Sequence, residues 1–218
     1  MRKELTIMSR YENKPTSGLF RANPVLSACM IISPVVMCGD NLKKAVTMAF
    51  VFSFITFISV FVSSFLPKKL PYAIKLMLHA VIGALVYIPV CLFADEFFPE
   101  AAAQIGIFFP LTAVNSLIVF HSETKYYTLS KGKMTVSLLL GILGFDAVML
   151  ITGIIREIIG YGTVYGRFVD MKITMVGISK PFGGLILLGI LCGLFRKIRL
   201  IEDKNSNDSG GEADVSVK

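Results

Sequence analysis

The chain has 218 residues, of which 54% are hydrophobic and only 17% charged, and its mean hydropathy is +0.70, which excludes a soluble domain and points to an integral membrane protein. A formal charge of +7 could suggest nucleic acid. The Lys and Arg residues, however, sit between apolar blocks instead of alternating with aromatics along one face, so the expected surround is membrane lipid and not nucleic acid.

Residues 1–22 are polar and lack both the apolar core and the small-residue cleavage site of a signal peptide, and are expected to form a cytoplasmic N-terminal segment. Apolar blocks follow at about 25–39, 45–66, 72–94, 104–120, 134–155 and 182–195. A span needs roughly 20 apolar residues, so the second, third and fifth blocks are comfortable, the first and fourth are short, and the sixth is helped by its flanks. The breaks fall at Gly39 and Asp40, at Pro67–Pro71, at Asp95–Glu100 and at Lys125–Lys133, and a Gly-rich connection, GYGTVYGRFVDMK, precedes the last block. These signals predict an all-α membrane domain over 23–199 with six transmembrane segments. From about 200 to 218 the chain has little to bury and is expected to be a disordered cytoplasmic tail.

The first and fourth blocks share a pattern. NPVLSACMIISP contains Asn23, Pro24, Ser33 and Pro34, and FFPLTAVNSLIVF contains Pro110, Asn115 and Ser116. Each is a short, Pro-interrupted apolar segment, and each opens a set of three. Three spans per set would place the halves in opposite orientation, so the expected architecture is two inverted three-helix repeats with the functional site where the broken segments meet. Basic residues cluster in alternate regions, at Arg2–Arg21, Lys68–Lys75, Lys125–Lys133 and from Arg196 onward. Both termini are therefore expected on the cytoplasmic side of the inner (plasma) membrane.

Ionisable residues inside the apolar blocks are the remaining candidates, because such groups are costly there and face an interior pathway or a partner. Lys75 and His79 are one helical turn apart, and Asp146, Gly153 and Glu157 fall along one face of the fifth segment. Pairing of Lys75 or His79 with Asp146 would neutralise a buried charge. Equally, Lys75 could reach the surface along its aliphatic stem and His79 could be an internally bonded core residue. The four cysteines, Cys29, Cys38, Cys91 and Cys192, lie in apolar stretches without metal-ligand spacing and read as small hydrophobes. No phosphate-cradling loop, HExxH or nucleophile motif occurs, so the chain is not expected to turn over a substrate alone.

NPVLSACMIISP, FPLTAVNS and GILGFDAVMLITGIIREIIGYGTVYG resemble the membrane subunits of the Rnf and Nqr electron-transport complexes, in particular the branch containing RnfE and NqrD. The resemblance implies a six-span subunit paired in the membrane with an inverted paralogous subunit and with other Rnf/Nqr-like subunits. It also implies a complex passing electrons from NADH or ferredoxin to quinone or NAD, coupled to sodium or proton translocation. In that family the positions of Ser33 and Ser116 are cysteines, two from each paralogue, which hold a two-iron two-sulfur cluster. Serine hydroxyls are poor ligands for such a cluster, so no cofactor is expected in this chain. The alternatives are a small-solute or ion transporter on the same inverted-repeat scaffold, or a structural membrane partner.

Overall fold

The computed structural model describes residues 23, 25–26, 31–65, 71–115, 131–168 and 174–211. Along the chain lie α1 (Ile32–Cys38), α2 (Leu42–Ser63), α3 (Tyr72–Phe97), α4 (Pro99–Ile105), α5 (Phe108–Leu111), α6 (Lys131–Tyr161), a two-stranded hairpin of β1 (Thr163–Val164) and β2 (Arg167–Phe168), and α7 (Pro181–Gly211). Among the described residues four helices are long and apolar enough to cross a membrane: Leu42–Ser63, Leu76–Phe97, Leu138–Tyr161 and Pro181–Ile198. The protein is a mostly helical multi-pass membrane protein. Within the described residues the first and fourth apolar blocks hold short helical pieces.

Local chemistry explains where these helices begin and stop. Asn41 caps α2, its side chain accepting a hydrogen bond from the Lys43 amide at 2.9 Å. Pro71 directly precedes α3, and Pro99 occupies the first turn of α4, where a missing N–H costs nothing. Gly106, with φ 55°, ends α4. Ile31, with φ 59° and ψ 38°, holds a left-handed conformation immediately before α1. For a β-branched residue that geometry costs about 1–2 kcal/mol, so the break is imposed by the surrounding packing.

Helix α2 is the centre of the molecule. Met48, Phe52 and Ile55 are fully buried, as are Phe145 and Met149 of α6, and the rings of Phe52 and Phe145 lie 3.9 Å apart. The two helices are antiparallel and in steady register: Leu42 meets Glu157, Ala45 meets Gly153, Phe52 meets Phe145 and Ser53 meets Asp146. A Cβ on Gly153 would come within 2.7 Å of the Ala45 Cβ, so the close approach depends on the missing side chain. The end of α3 returns to the start of α2, where the Phe50 and Phe98 rings are 6.2 Å apart and Lys43 pairs with Glu100 at 3.5 Å. Outward faces of α3 and α7 expose Met77, Leu85 and Leu92, and Phe182, Ile186 and Ile190, as lipid-facing or partner-facing helices do.

Two parts of the chain differ from expectation. The Gly-rich connection after α6 contains the hairpin, turned by Tyr165 (φ 53°) and Gly166 (φ 77°) with Val164 paired to Arg167. Two consecutive positive φ angles are what a tight hairpin turn requires, and the Tyr-Gly dipeptide supplies one glycine for them. Helix α7 carries on past Glu202 to Gly211, into the polar stretch expected to lack structure. Extending a helix already nucleated by an apolar stretch costs little compared with starting one.

Candidate functional site

The two broken segments converge on one cavity. In the first, the Asn23 side-chain oxygen accepts from the amides of Val25 (3.0 Å) and Leu26 (3.2 Å) and so caps the helical turn there. Its Nδ2 donates to the Gly144 carbonyl of α6 at 2.8 Å. The chain then passes the left-handed Ile31 into α1, whose first turn presents Ser33 and Pro34. In the second, α5 leads into a 3-10 turn over Thr112–Val114 and the extended, buried Asn115. Asn115 Nδ2 donates to Thr56 Oγ1 of α2 at 3.0 Å and to the Thr112 carbonyl at 2.9 Å. Helix α3 admits this segment because it has glycine at 83, where a Cβ would strike the Ala113 carbonyl.

Between the segments is a cavity of about 240 Å³, lined by Ile31, Ser33 and Pro34 on one side, by Phe108, Thr112 and Asn115 on the other, and by Phe52 of α2. Pro110 lies exposed within α5. Pro24 and Ser116 are outside the described residues, as is Cys29. Ser33 and the neighbour of Ser116, Asn115, thus border one cavity. The described lining offers hydroxyls at Ser33 and Thr112 and no thiol, and Cys38 is buried at the other end of α1. Iron–sulfur clusters are built on thiolates, and the position of Ser116 lies outside the described residues. Among the described residues no three His, Cys, Asp or Glu side chains come together as a metal site.

A second polar centre lies at the end of α6. Arg156 is 1% exposed and donates to four backbone carbonyls: Val36 (2.6 Å), Ser179 (2.8 Å), Ile178 (3.1 Å) and Lys180 (3.3 Å). It ties α1 to the 3-10 turn Val176–Ser179 that precedes α7, placing a cation where chain ends present carbonyl oxygens. A Cβ on Gly184 would come within 2.8 Å of this guanidinium. Glu157 is fully buried and faces the other way. Its carboxylate accepts from the Leu42 amide (2.7 Å), the Gly166 amide (2.9 Å) and the Thr163 hydroxyl (3.1 Å), pinning the hairpin to the start of α2. Both oxygens of Glu157 are thus engaged, one by the start of α2 and one by the hairpin.

Asp146 lies in the middle of α6, where its Oδ2 accepts from the Ser53 hydroxyl at 2.6 Å and its buried Oδ1 has no partner among the described residues. The partner among the described residues is the Ser53 hydroxyl of α2. His79 is buried in α3, and the side chain of Lys75 lies outside the described residues. Ser53, Thr56 and Arg156 are the functional side chains that sequence reasoning did not single out. The available signal was hydroxyl spacing of three residues within an otherwise apolar helix, Ser53, Thr56 and Ser59, which puts them on neighbouring positions of one side.

A family model described as "Rnf-Nqr subunit, membrane protein" matches residues 12–195. Among relatives, a Na(+)-translocating NADH-quinone reductase subunit of Chlamydia trachomatis serovar L2 is 27% identical over 212 residues, covering 92% of this chain and 100% of that protein. The protein of the same description from Pseudomonas paraeruginosa is 27% identical over 172 residues, 78% of this chain and 76% of that one. The Chlamydia pneumoniae protein of that description is 25% identical over 179 residues, 82% and 84% of the two chains.

Proposed function

The chain belongs to the Rnf-Nqr family of membrane subunits, and from that membership we propose that it serves as a membrane subunit of an ion-translocating electron-transport complex. The observation that carries this reading is the extent of the match, 184 residues from 12 to 195, which takes in both broken segments, three membrane-length helices and most of the fourth. The relatives are named as subunits of a reductase, so activity belongs to an assembly, and this chain contributes the membrane part of it.

Within that reading the two broken segments are crossings in their own right, giving six spans as two inverted repeats with both termini in the cytoplasm. Supporting this, the start of α2, the junction of α3 with α4, and the hairpin lie together at one end of the molecule through Lys43–Glu100, Leu42–Glu157 and the Lys43 ammonium 5.8 Å from the Tyr165 ring centre. Those regions are the ones that the distribution of basic residues assigns to the non-cytoplasmic side. The partner is an inverted paralogous subunit, seated against the open side of the cavity where Ser33 is exposed. With hydroxyls at Ser33 and Ser116, the chain supplies no thiolate from these positions and no electron step is routed through it.

Isolation of the tagged full-length chain from its native membrane tests the reading. Co-isolation of stoichiometric flavin- and iron–sulfur-containing subunits together with a second six-span chain is the expected result. Recovery of the chain alone, with saturable uptake of a small solute in reconstituted vesicles, would replace this reading with the transporter alternative, for which the cavity between the broken segments is the binding space.

A further inference from the structure

Asp146 and Ser53 are each near the middle of their helix, Asp146 in the span Leu138–Tyr161 and Ser53 in the span Leu42–Ser63. They meet in the α2–α6 interface, next to the Phe52–Phe145 ring pair. One carboxylate oxygen accepts from the Ser53 hydroxyl at 2.6 Å, and the other is buried with no partner among the described residues. An ionised carboxylate with an unsatisfied oxygen at membrane depth is strongly disfavoured, and something positive must compensate it.

Among the described residues no fixed charge does so. On α2 the basic residues Lys43 and Lys44 precede Ser53 by ten and nine residues, roughly 14 Å of helix. Arg156 and Glu157 follow Asp146 by ten and eleven, and both are engaged with loops. Cys38 of α1, Asp40 beyond it, and Cys192, Arg196 and Lys197 of α7 belong to the other elements packed on α6. His79 and Lys75 lie on α3, which packs on α2; His79 is buried, and the side chain of Lys75 is outside the described residues. A metal cation is a poor fit as well, because hard cations take about six oxygen ligands, whereas the described surroundings offer one carboxylate and one hydroxyl. A proton needs only the free oxygen.

We propose that Asp146 is a reversible proton-binding site at mid-membrane, with the Ser53 hydroxyl as its fixed hydrogen-bond partner. The proton resides on Oδ1 while Oδ2 keeps the Ser53 bond, so that taking up one proton neutralises the carboxylate without rearranging the helices. Thr56, one turn along α2 from Ser53, is bonded to Asn115, which borders the cavity between the broken segments, so polar side chains run from Asp146 toward that cavity. Ser59 Oγ, a further turn on, is also buried with no partner among the described residues. This goes beyond subunit membership, since it assigns the chain an ionisable site of its own that requires no electron carrier.

The test is infrared spectroscopy of the full-length chain in lipid nanodiscs as pH is varied. A carboxylic-acid carbonyl band that shifts in deuterium oxide, fades as pH rises and is lost in Asp146→Asn is the expected result, with the band displaced in Ser53→Ala. Sodium added at constant pH should leave it unchanged. Identical spectra for the native chain and Asp146→Asn would overturn the proposal, and so would sodium-driven loss of the band, which would make this a cation site. If Asp146→Asn does not fold, Ser53→Ala decides: an undisplaced band means that the protonated group is elsewhere.

Discussion

Arg156 and Glu157 are consecutive, both buried, and turned to opposite loops: the guanidinium gathers four carbonyls from α1 and the approach to α7, and the carboxylate gathers two amides and a hydroxyl from α2 and the hairpin. One dipeptide therefore fixes three connections at one end of the molecule.

Removing either side chain should loosen a different set of elements. Arg156→Ala leaves four carbonyls without their donor, each costing about 1–3 kcal/mol where it stays buried, so severe loss of folded protein in detergent is expected. Glu157→Gln keeps one acceptor oxygen but turns its NH2 donor toward the Leu42 amide or toward the Gly166 amide and Thr163 hydroxyl, leaving a buried donor unsatisfied at about 1–3 kcal/mol. Thermal unfolding of the purified variants measures both. A native transition in Arg156→Ala would show that these bonds contribute little.

Glycine positions separate close packing from mere composition. Gly153→Val should force α2 and α6 apart against Ala45, at about 1–3 kcal/mol, whereas Gly189→Ala, whose added Cβ meets nothing within 4 Å, should be neutral. Equal melting temperatures for the two variants would contradict the packing described for the central helix pair.

Reporter fusions test the orientation. Reporters after Lys218 and within 125–133 should read as cytoplasmic, and one at 95–100 as external. A cytoplasmic signal from 95–100 would reverse the topology, and with it the side to which the Lys43–Glu100 end is assigned.

Metal content tests the consequence of the two serines. The purified chain should contain no stoichiometric iron or acid-labile sulfide, while Ser33→Cys combined with Ser116→Cys, expressed with a partner that brings its own cysteine pair, should acquire the visible absorption of a two-iron cluster. One cluster per heterodimer in the unaltered protein would mean that other residues supply the ligands.

Much of this organisation was legible in the residues because membrane packing rests on few signals. Asn23, Pro34 and the interrupted block around Pro110 marked both breaks, since proline removes a backbone donor from a run too short to compensate for it. The spacing of Asp146, Gly153 and Glu157 gave one face of α6, and all three meet α2. What the three do there was not legible. Glu157 reads as an intramembrane charge until the hairpin that covers it is known, and that hairpin depends on a two-residue turn with little sequence signature. Ser53 was hidden because a hydroxyl inside an apolar helix ordinarily bonds its own preceding turn, and only the folded register shows that it reaches Asp146 instead.

The bonds of the first broken segment also set the timing of assembly. Asn23 waits for Gly144, Val36 for Arg156 and Leu42 for Glu157, separations of 121, 120 and 115 residues. At about 5–20 residues per second, roughly 6 to 25 s pass between synthesis of the first partner and of the second. The segment made earliest is therefore among the last to be secured. During that interval its capping amide and the carbonyls of α1 must be sheltered by lipid headgroups, by the insertion machinery or by a neighbouring subunit, so a shortage of such shelter would act on newly made chains and spare those already assembled.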